Sequence, residues 1–237
     1  MARSCSAALV LLLLGAASLP AQELLTPGEQ VLREMRAALA AGQAETCIAL
    51  LGEIGELARF PASAAEAAAL LRAAADATRD KNQAVVVAAL RALGATGAPA
   101  AGAHIEPFLR AAKPPAGQEA SMAAAVRAAG RLRLAAHVPA LLKLAHKCPD
   151  LTVAEQALHA LGGFCAAAAG SRKHVTGKVL EVCQSLSRRR ARWRRLRAPG
   201  LRALQRLTGR KLNRVDQFAA WWGHAKTLRD PFAPPGN

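Results

Sequence analysis

The chain has 237 residues, with 32 Lys or Arg against 16 Asp or Glu, 3% aromatic content and no tyrosine. That length suits one domain or one short repeat array, and 59 alanines exclude a core of large aromatics in favour of thin, closely packed helices of high intrinsic propensity. Charge is uneven: residues 22–120 carry nine basic and eleven acidic side chains, residues 121–237 twenty-two and five, so the basicity belongs to the C-terminal half.

The N-terminus, MARSCSAALVLLLLGAASLPAQ, has one basic residue, Arg3, an apolar run from Ala7 to Ala17, then small residues and Pro20. This is the layout of a secretory signal peptide over residues 1–21, with cleavage expected after Ala21, and the run is too short to span roughly 30 Å of hydrocarbon as a helix. Cys5 lies in the segment to be removed, without a lipid-attachment pattern. The expectation is an exported protein, periplasmic or extracellular, with no transmembrane span in the mature chain.

Next comes a capping helix, expected within residues 22–44, whose apolar positions Val31, Leu32, Met35 and Leu39 would cover the first repeat. Helix starts recur as capping boxes, in which a side-chain oxygen accepts from an orphan amide and an acidic or amide side chain three residues on reaches back. They read TPGE at Thr26, SAAE at Ser63, DKNQ at Asp80, TVAE at Thr152 and a looser NRVD at Asn213. Apolar turns end on glycine at Gly55, Gly94, Gly130, Gly162 and Gly209, where a left-handed residue would close a helix. A second amphipathic stretch follows each glycine. Such a helix-turn-helix period of 32 to 47 residues is expected of stacked helical repeats.

On the pattern A-x-x-A-L-x-x-L-G followed by a helix opening near V-P-x-L-L, clearest in VVVAALRALGATG and AAHVPALLKLA, the units resemble HEAT-like, armadillo-type repeats over about residues 45 to 229. The aromatic and proline landmarks of TPR repeats are missing. The resemblance implies an all-α fold, a right-handed α-α superhelix of about five helix pairs. Repeats one to four would fill residues 45–187, and a fifth pair with its cap residues 199–229, before a disordered tail at 230–237. The ending LTGRKLNRVDQFAAWWGHAK also resembles the Trp-rich terminal helix of exported bacterial HEAT-like proteins. Phe218, Trp221 and Trp222 would stand on that pattern, as a structural cap over the open end of the stack or as an exposed aromatic platform for a ligand.

Residues 188–198 read as an arginine-rich insertion. Leu186, Trp193 and Leu196 keep helical register, so the second helix of unit four is expected to continue to about Arg197, with Pro199 ending it. Arg188, Arg189, Arg190, Arg192, Arg194, Arg195 and Arg197 are candidate anion-binding residues, since no acidic residue lies between Glu181 and Asp216 to relieve their repulsion. Two readings stay open: a solvated basic face, or contact with an anionic polymer or lipid surface through planar guanidinium forks. No nucleic-acid motif accompanies the charge, so base-specific recognition is not expected.

The mature chain keeps Cys47, Cys148, Cys165 and Cys183. Helix rise separates Cys165 from Cys183 too far for a bridge, and Cys148 and Cys183, though better matched in height, stand on neighbouring helices that run about 8 to 10 Å apart, which weighs against a bridge there too. Cys47 reads as a buried apolar residue. His104, His137 and His174 recur near the starts of second helices, as half-exposed positions that could stack into a row. No His or Cys spacing matches a metal site, and no catalytic triad, phosphate loop or carboxylate pair appears, so neither cofactor nor metal is expected. HEAT-like repeats also occur in bilin lyases, but a repeat resemblance carries no activity by itself. The function expected is therefore non-catalytic: a binding or scaffold module that engages a protein or peptide in a solenoid groove, with polyanion binding through the basic C-terminal third as the alternative.

Overall fold

In a computed structural model describing residues 25–111 and 113–232, the chain is all helix and turn, with no strand among the described residues. The expected signal peptide and residues 233–237 of the expected tail lie outside the described residues. The α-helices are α1 (Pro27–Ala40), α2 (Ala44–Leu57), α3 (Ala64–Ala77), α4 (Gln83–Thr96), α5 (Ala101–Arg110) and α6 (Glu119–Leu132), followed by α7 (Val138–Lys147), α8 (Leu151–Gly162), α9 (Ala169–Ser187), α10 (Arg190–Thr208) and α11 (Val215–Ala225). Short 3-10 segments, Ala135–His137 and Gly163–Ala166, precede α7 and follow α8.

The helices form two rows. Helices α2, α4, α6, α8 and α10 pack in succession along one, and α1, α3, α5, α7, α9 and α11 along the other. Each odd helix from α3 to α9 lies more extensively on the even helix after it than on the one before it. The pairs are therefore α1 with α2 through α9 with α10, whereas the glycine punctuation had joined α2 with α3. The helix expected as a separate N-terminal cap is the first member of the first pair. Between the rows, Leu51, Ile54, Leu70, Leu90, Leu93, Ile105, Leu141 and Leu144 are fully buried, together with alanines such as Ala89, Ala124, Ala129 and Ala157.

The repeating glycines do something other than stop helices. Gly55, Gly94 and Gly130 lie inside α2, α4 and α6, and Gly162 ends α8 at φ −61°. Each faces an alanine of the next even helix. A Cβ added at Gly94 would lie 2.7 Å from the Cα of Ala128, and one at Gly130 2.7 Å from the Cα of Ala160. The same contact is looser at Gly55 with Ala92, 3.4 Å, and at Gly162 with Ala203, 3.1 Å. The absent side chain thus sets how closely consecutive even helices approach. Only Gly209 behaves as expected, closing α10 at φ +71° while its N–H donates to the Gln205 carbonyl at 2.8 Å.

The capping boxes survive unevenly. Thr26 forms the full reciprocal pair with Glu29. Ser63 accepts from Glu66 N, but the Glu66 carboxylate turns to Ala62 N and to the Thr26 hydroxyl, 3.1 Å away, tying α1 to α3. Two starts shift to a residue that accepts two positions on. Asn82 rather than Asp80 caps α4, and Asp150 rather than Thr152 caps α8, accepting from Thr152 N and Val153 N at 2.7 and 3.1 Å. A carboxylate there also meets the positive end of the helix dipole, which a threonine hydroxyl cannot match. At α11 the expected box is missing: Arg214 occupies the cap position and supplies no side-chain cap.

The arginine run departs most from expectation. α9 ends at Ser187, the backbone leaves helical geometry at Arg189 (φ −102°, ψ 78°), and α10 runs from Arg190 straight through Pro199. The chain crosses from the odd row to the even row here, so Leu186 and Trp193 belong to different helices. Pro199 is buried within α10 instead of ending it, giving up one backbone hydrogen bond inside a packed helix. The segment expected as an insertion is the α9–α10 junction and the opening turns of α10.

Candidate functional site: two basic clusters

The seven arginines of the run do not share a face. Arg192 is half-buried, and its guanidinium donates to the Cys148 carbonyl, which closes α7, at 2.5 Å. Its Nε is buried without a partner among the described residues, and burial followed by the nearby Arg189 charge lowers its proton affinity. Arg192 thus holds the end of α7. The other six are exposed, and none forms an ion pair with a carboxylate among the described residues. Arg188 and Arg197 open onto a cleft of about 520 Å³ between α9, α10 and α11, whose other walls include Trp193 and the pair formed by Arg214 and Asp216. That pair is two-pronged, at 3.0 and 2.7 Å, and the Arg214 hydrogen bonds hold the Asp216 carboxyl below its ordinary range. The cleft therefore contains a carboxylate that already answers one of its three arginines.

At the terminal helix, Phe218 and Ala225 are buried and Trp222 is half-buried, lying over Gly177 of α9, where an added Cβ would stand 3.5 Å from the indole. Phe232 stacks on Trp222 at 6.4 Å, and the Arg172 guanidinium sits 4.0 Å above the Phe232 ring. The first residues of the expected disordered tail are thus packed. Trp221, also half-buried, turns towards Arg210, 5.8 Å from its ring.

A second basic cluster was not anticipated from the sequence. Arg91, Arg127, His159 and Arg206 each stand three residues before a repeating glycine, in RALG, RAAG, HALG and RLTG. Gly94, Gly130 and Gly162 share the interhelical contact, so this register brings Arg91, Arg127 and His159 into line on α4, α6 and α8; Gly209 caps α10 instead, and Arg206 joins the cluster through its contact with His159. Arg127 feels its basic neighbours. Arg127 is disfavoured as a cation first by its half-burial, then by Arg91 and Arg131, and Arg206 Nη1 lies 3.4 Å from His159 Nε2. The shared offset from glycine is the signal that could have exposed them; scattered singly through the chain, they raise no local charge count.

Between α6, α8 and α10 this row widens into a cleft of about 260 Å³, walled by Arg127, Arg131, Arg133, Arg206, His159 and Gln156. Gly130, Ala160 and Gly163 also line it, and no acidic residue does. Arg133 closes α6 in the left-handed region at φ 52°, the one non-glycine residue with positive φ among the described residues. Glycine or asparagine would sit there at lower cost.

Among the described residues the four cysteines are unbridged, and Cys47, Cys148 and Cys183 are buried. Burial pushes the Cys183 thiol up to about 12. The histidine row does not form as a uniform half-exposed set: His104 is half-exposed and His174 exposed, but His137 is buried, with Nδ1 lacking a partner among the described residues. No group of three or more His, Cys, Asp or Glu side chains among the described residues could hold a metal ion. No described helix is long and apolar enough to cross a membrane. Against this geometry, known protein families, curated proteins and solved structures offer no match to the chain.

Proposed function

We propose that the chain is an exported, non-catalytic binding module: a right-handed stack of about five HEAT-like helix pairs whose even-helix face grips an acidic segment of a protein or peptide partner. The curvature follows from packing. Gly–Ala contacts draw consecutive even helices together, whereas consecutive odd helices pack less extensively on one another, a difference that supports bending towards the even face with a groove there. The observation that carries the choice of partner is the file of Arg91, Arg127, His159 and Arg206 along that face. Carboxylates of an acidic segment would relieve the repulsion among the three arginines and accept from their guanidinium forks.

A second reading is favoured by the six exposed arginines of the 188–197 run, without ion-pair partners among the described residues, which would lie against an anionic polymer or anionic lipid surface. One titration separates the two. A fluorescent oligoglutamate peptide is titrated into the protein and into two variants of equal charge, Arg91→Gln/Arg127→Gln/Arg206→Gln and Arg190→Gln/Arg194→Gln/Arg195→Gln. Loss of binding in the first variant alone supports the groove. Loss in the second alone moves the contact to the run.

A further inference from the structure

We infer that the cleft between α6, α8 and α10 is a discrete site for a phosphoryl group, either inorganic phosphate or a small phosphate monoester. The proposal rests on the same face as the reading above but does not depend on a protein partner. Four arginines, Arg127, Arg131, Arg133 and Arg206, line one small cavity with the Gln156 amide and no acidic residue. By contrast, the larger cleft beside the arginine run already holds the Asp216 carboxylate against Arg214.

Three properties select the ligand. First, one carboxylate satisfies one guanidinium fork, whereas a tetrahedral dianion presents enough acceptor oxygens to answer several forks at once. Second, the small residues Gly130, Ala160 and Gly163 provide little apolar wall for a bulky organic group, so the recognised part is compact and polar. Third, the cavity is set up at a cost in the unliganded protein. Arg127 is half-buried beside Arg91 and Arg131, and Arg133 occupies a backbone conformation that its side chain disfavours. A bound dianion relieves the first, and the Arg133 backbone geometry sets the fourth guanidinium at the rim, as strained residues do at ligand sites.

The test is calorimetric titration of the whole protein with inorganic phosphate and with glycerol phosphate at physiological salt, using sulfate and acetate for comparison. Phosphate or its ester should bind with one site per chain and more tightly than acetate, and which of the two binds better identifies the source of the group. Arg127→Gln and Arg206→Gln should each weaken binding about tenfold or more. The charge-matched Arg190→Gln and Arg194→Gln should change it by less than about twofold. Arg133→Gly guards against misfolding as an explanation, because it relieves the backbone yet removes a ligand-facing cation: the melting temperature should hold or rise while phosphate affinity falls.

Equal weakening by the charge-matched variants, equal affinity for acetate, or no saturable binding would each overturn the site. Failure here with retained oligoglutamate binding leaves the groove reading standing. Phosphate binding without oligoglutamate binding removes that reading and keeps this one.

Discussion

Gly94 and Ala128 meet backbone to backbone: a methyl group placed on Gly94 would stand 2.7 Å from the Ala128 Cα, inside any contact that real side chains make. Gly130 and Ala160 repeat the relationship one helix further along. Gly94→Ala and Gly130→Ala should therefore each destabilise the fold by about 1–3 kcal/mol, as overpacking of a rigid interior does. Gly52, one turn before the Gly55 contact in α2, faces open space. Gly52→Ala should stabilise by about 0.5–1 kcal/mol through helix propensity alone. Urea denaturation of the three variants checks the opposite signs.

Arg192 should stand apart from its neighbours in the run. Arg192→Met removes the charged donor to the Cys148 carbonyl and should cost about 1.5–3 kcal/mol. Arg190→Gln, Arg194→Gln and Arg195→Gln touch exposed side chains without ion-pair partners among the described residues and should stay within about 0.5 kcal/mol of the parent. Any gain in these three should shrink as salt screens the repulsion. Chemical denaturation at low and high salt distinguishes the classes.

Acid should weaken the fold through His137. Burial lowers its proton affinity, partly countered by the Gly102 backbone and then by Glu106. A histidine with a depressed folded pKa leaves the unfolded chain holding more protons below its ordinary value near 6.5. Stability is therefore undiminished by this group above that value and falls as pH drops below it, until the folded form also protonates. His146, lowered by burial and then by Arg189, Lys147 and Arg192, adds to the same slope. Melting temperatures from pH 8 to pH 5 should fall less steeply in His137→Gln than in the parent; parallel slopes would reject the assignment.

Thiol reactivity should rank by burial. Cys165 alone among the four is half-exposed, so a maleimide reagent at neutral pH should label it first. Cys183, raised to about 12, should react only after unfolding, together with the buried Cys47 and Cys148. Mass spectrometry of labelled peptides, native and denatured, reads the order directly.

The all-helical class and the starts at Thr26 and Ser63 were legible because amphipathic spacing and caps are local signals. The role of Gly94 was not. A glycine after leucine reads equally as a left-handed helix stop or as a place where another backbone comes near, and only the facing Ala128 decides. The helix boundary at Arg189 was hidden for a related reason: Leu186 and Trp193 keep register across a corner where the chain changes rows, and Pro199, the residue expected to stop the helix, is accommodated inside one. The candidate cleft escaped notice because its members come from three helices. The offset shared by Arg91, Arg127 and His159 becomes a pattern only once Gly94, Gly130 and Gly162 are understood as spacers.

The tie from Glu66 to Ala62 N and to the Thr26 hydroxyl has a mechanical meaning. An array whose units meet only their neighbours can fray one module at a time from either end. A single carboxylate that serves as acceptor for two consecutive odd helices makes loosening of α1 disturb the start of α3 as well. The N-terminal edge should therefore open as a block of three helices instead of shedding its first helix alone.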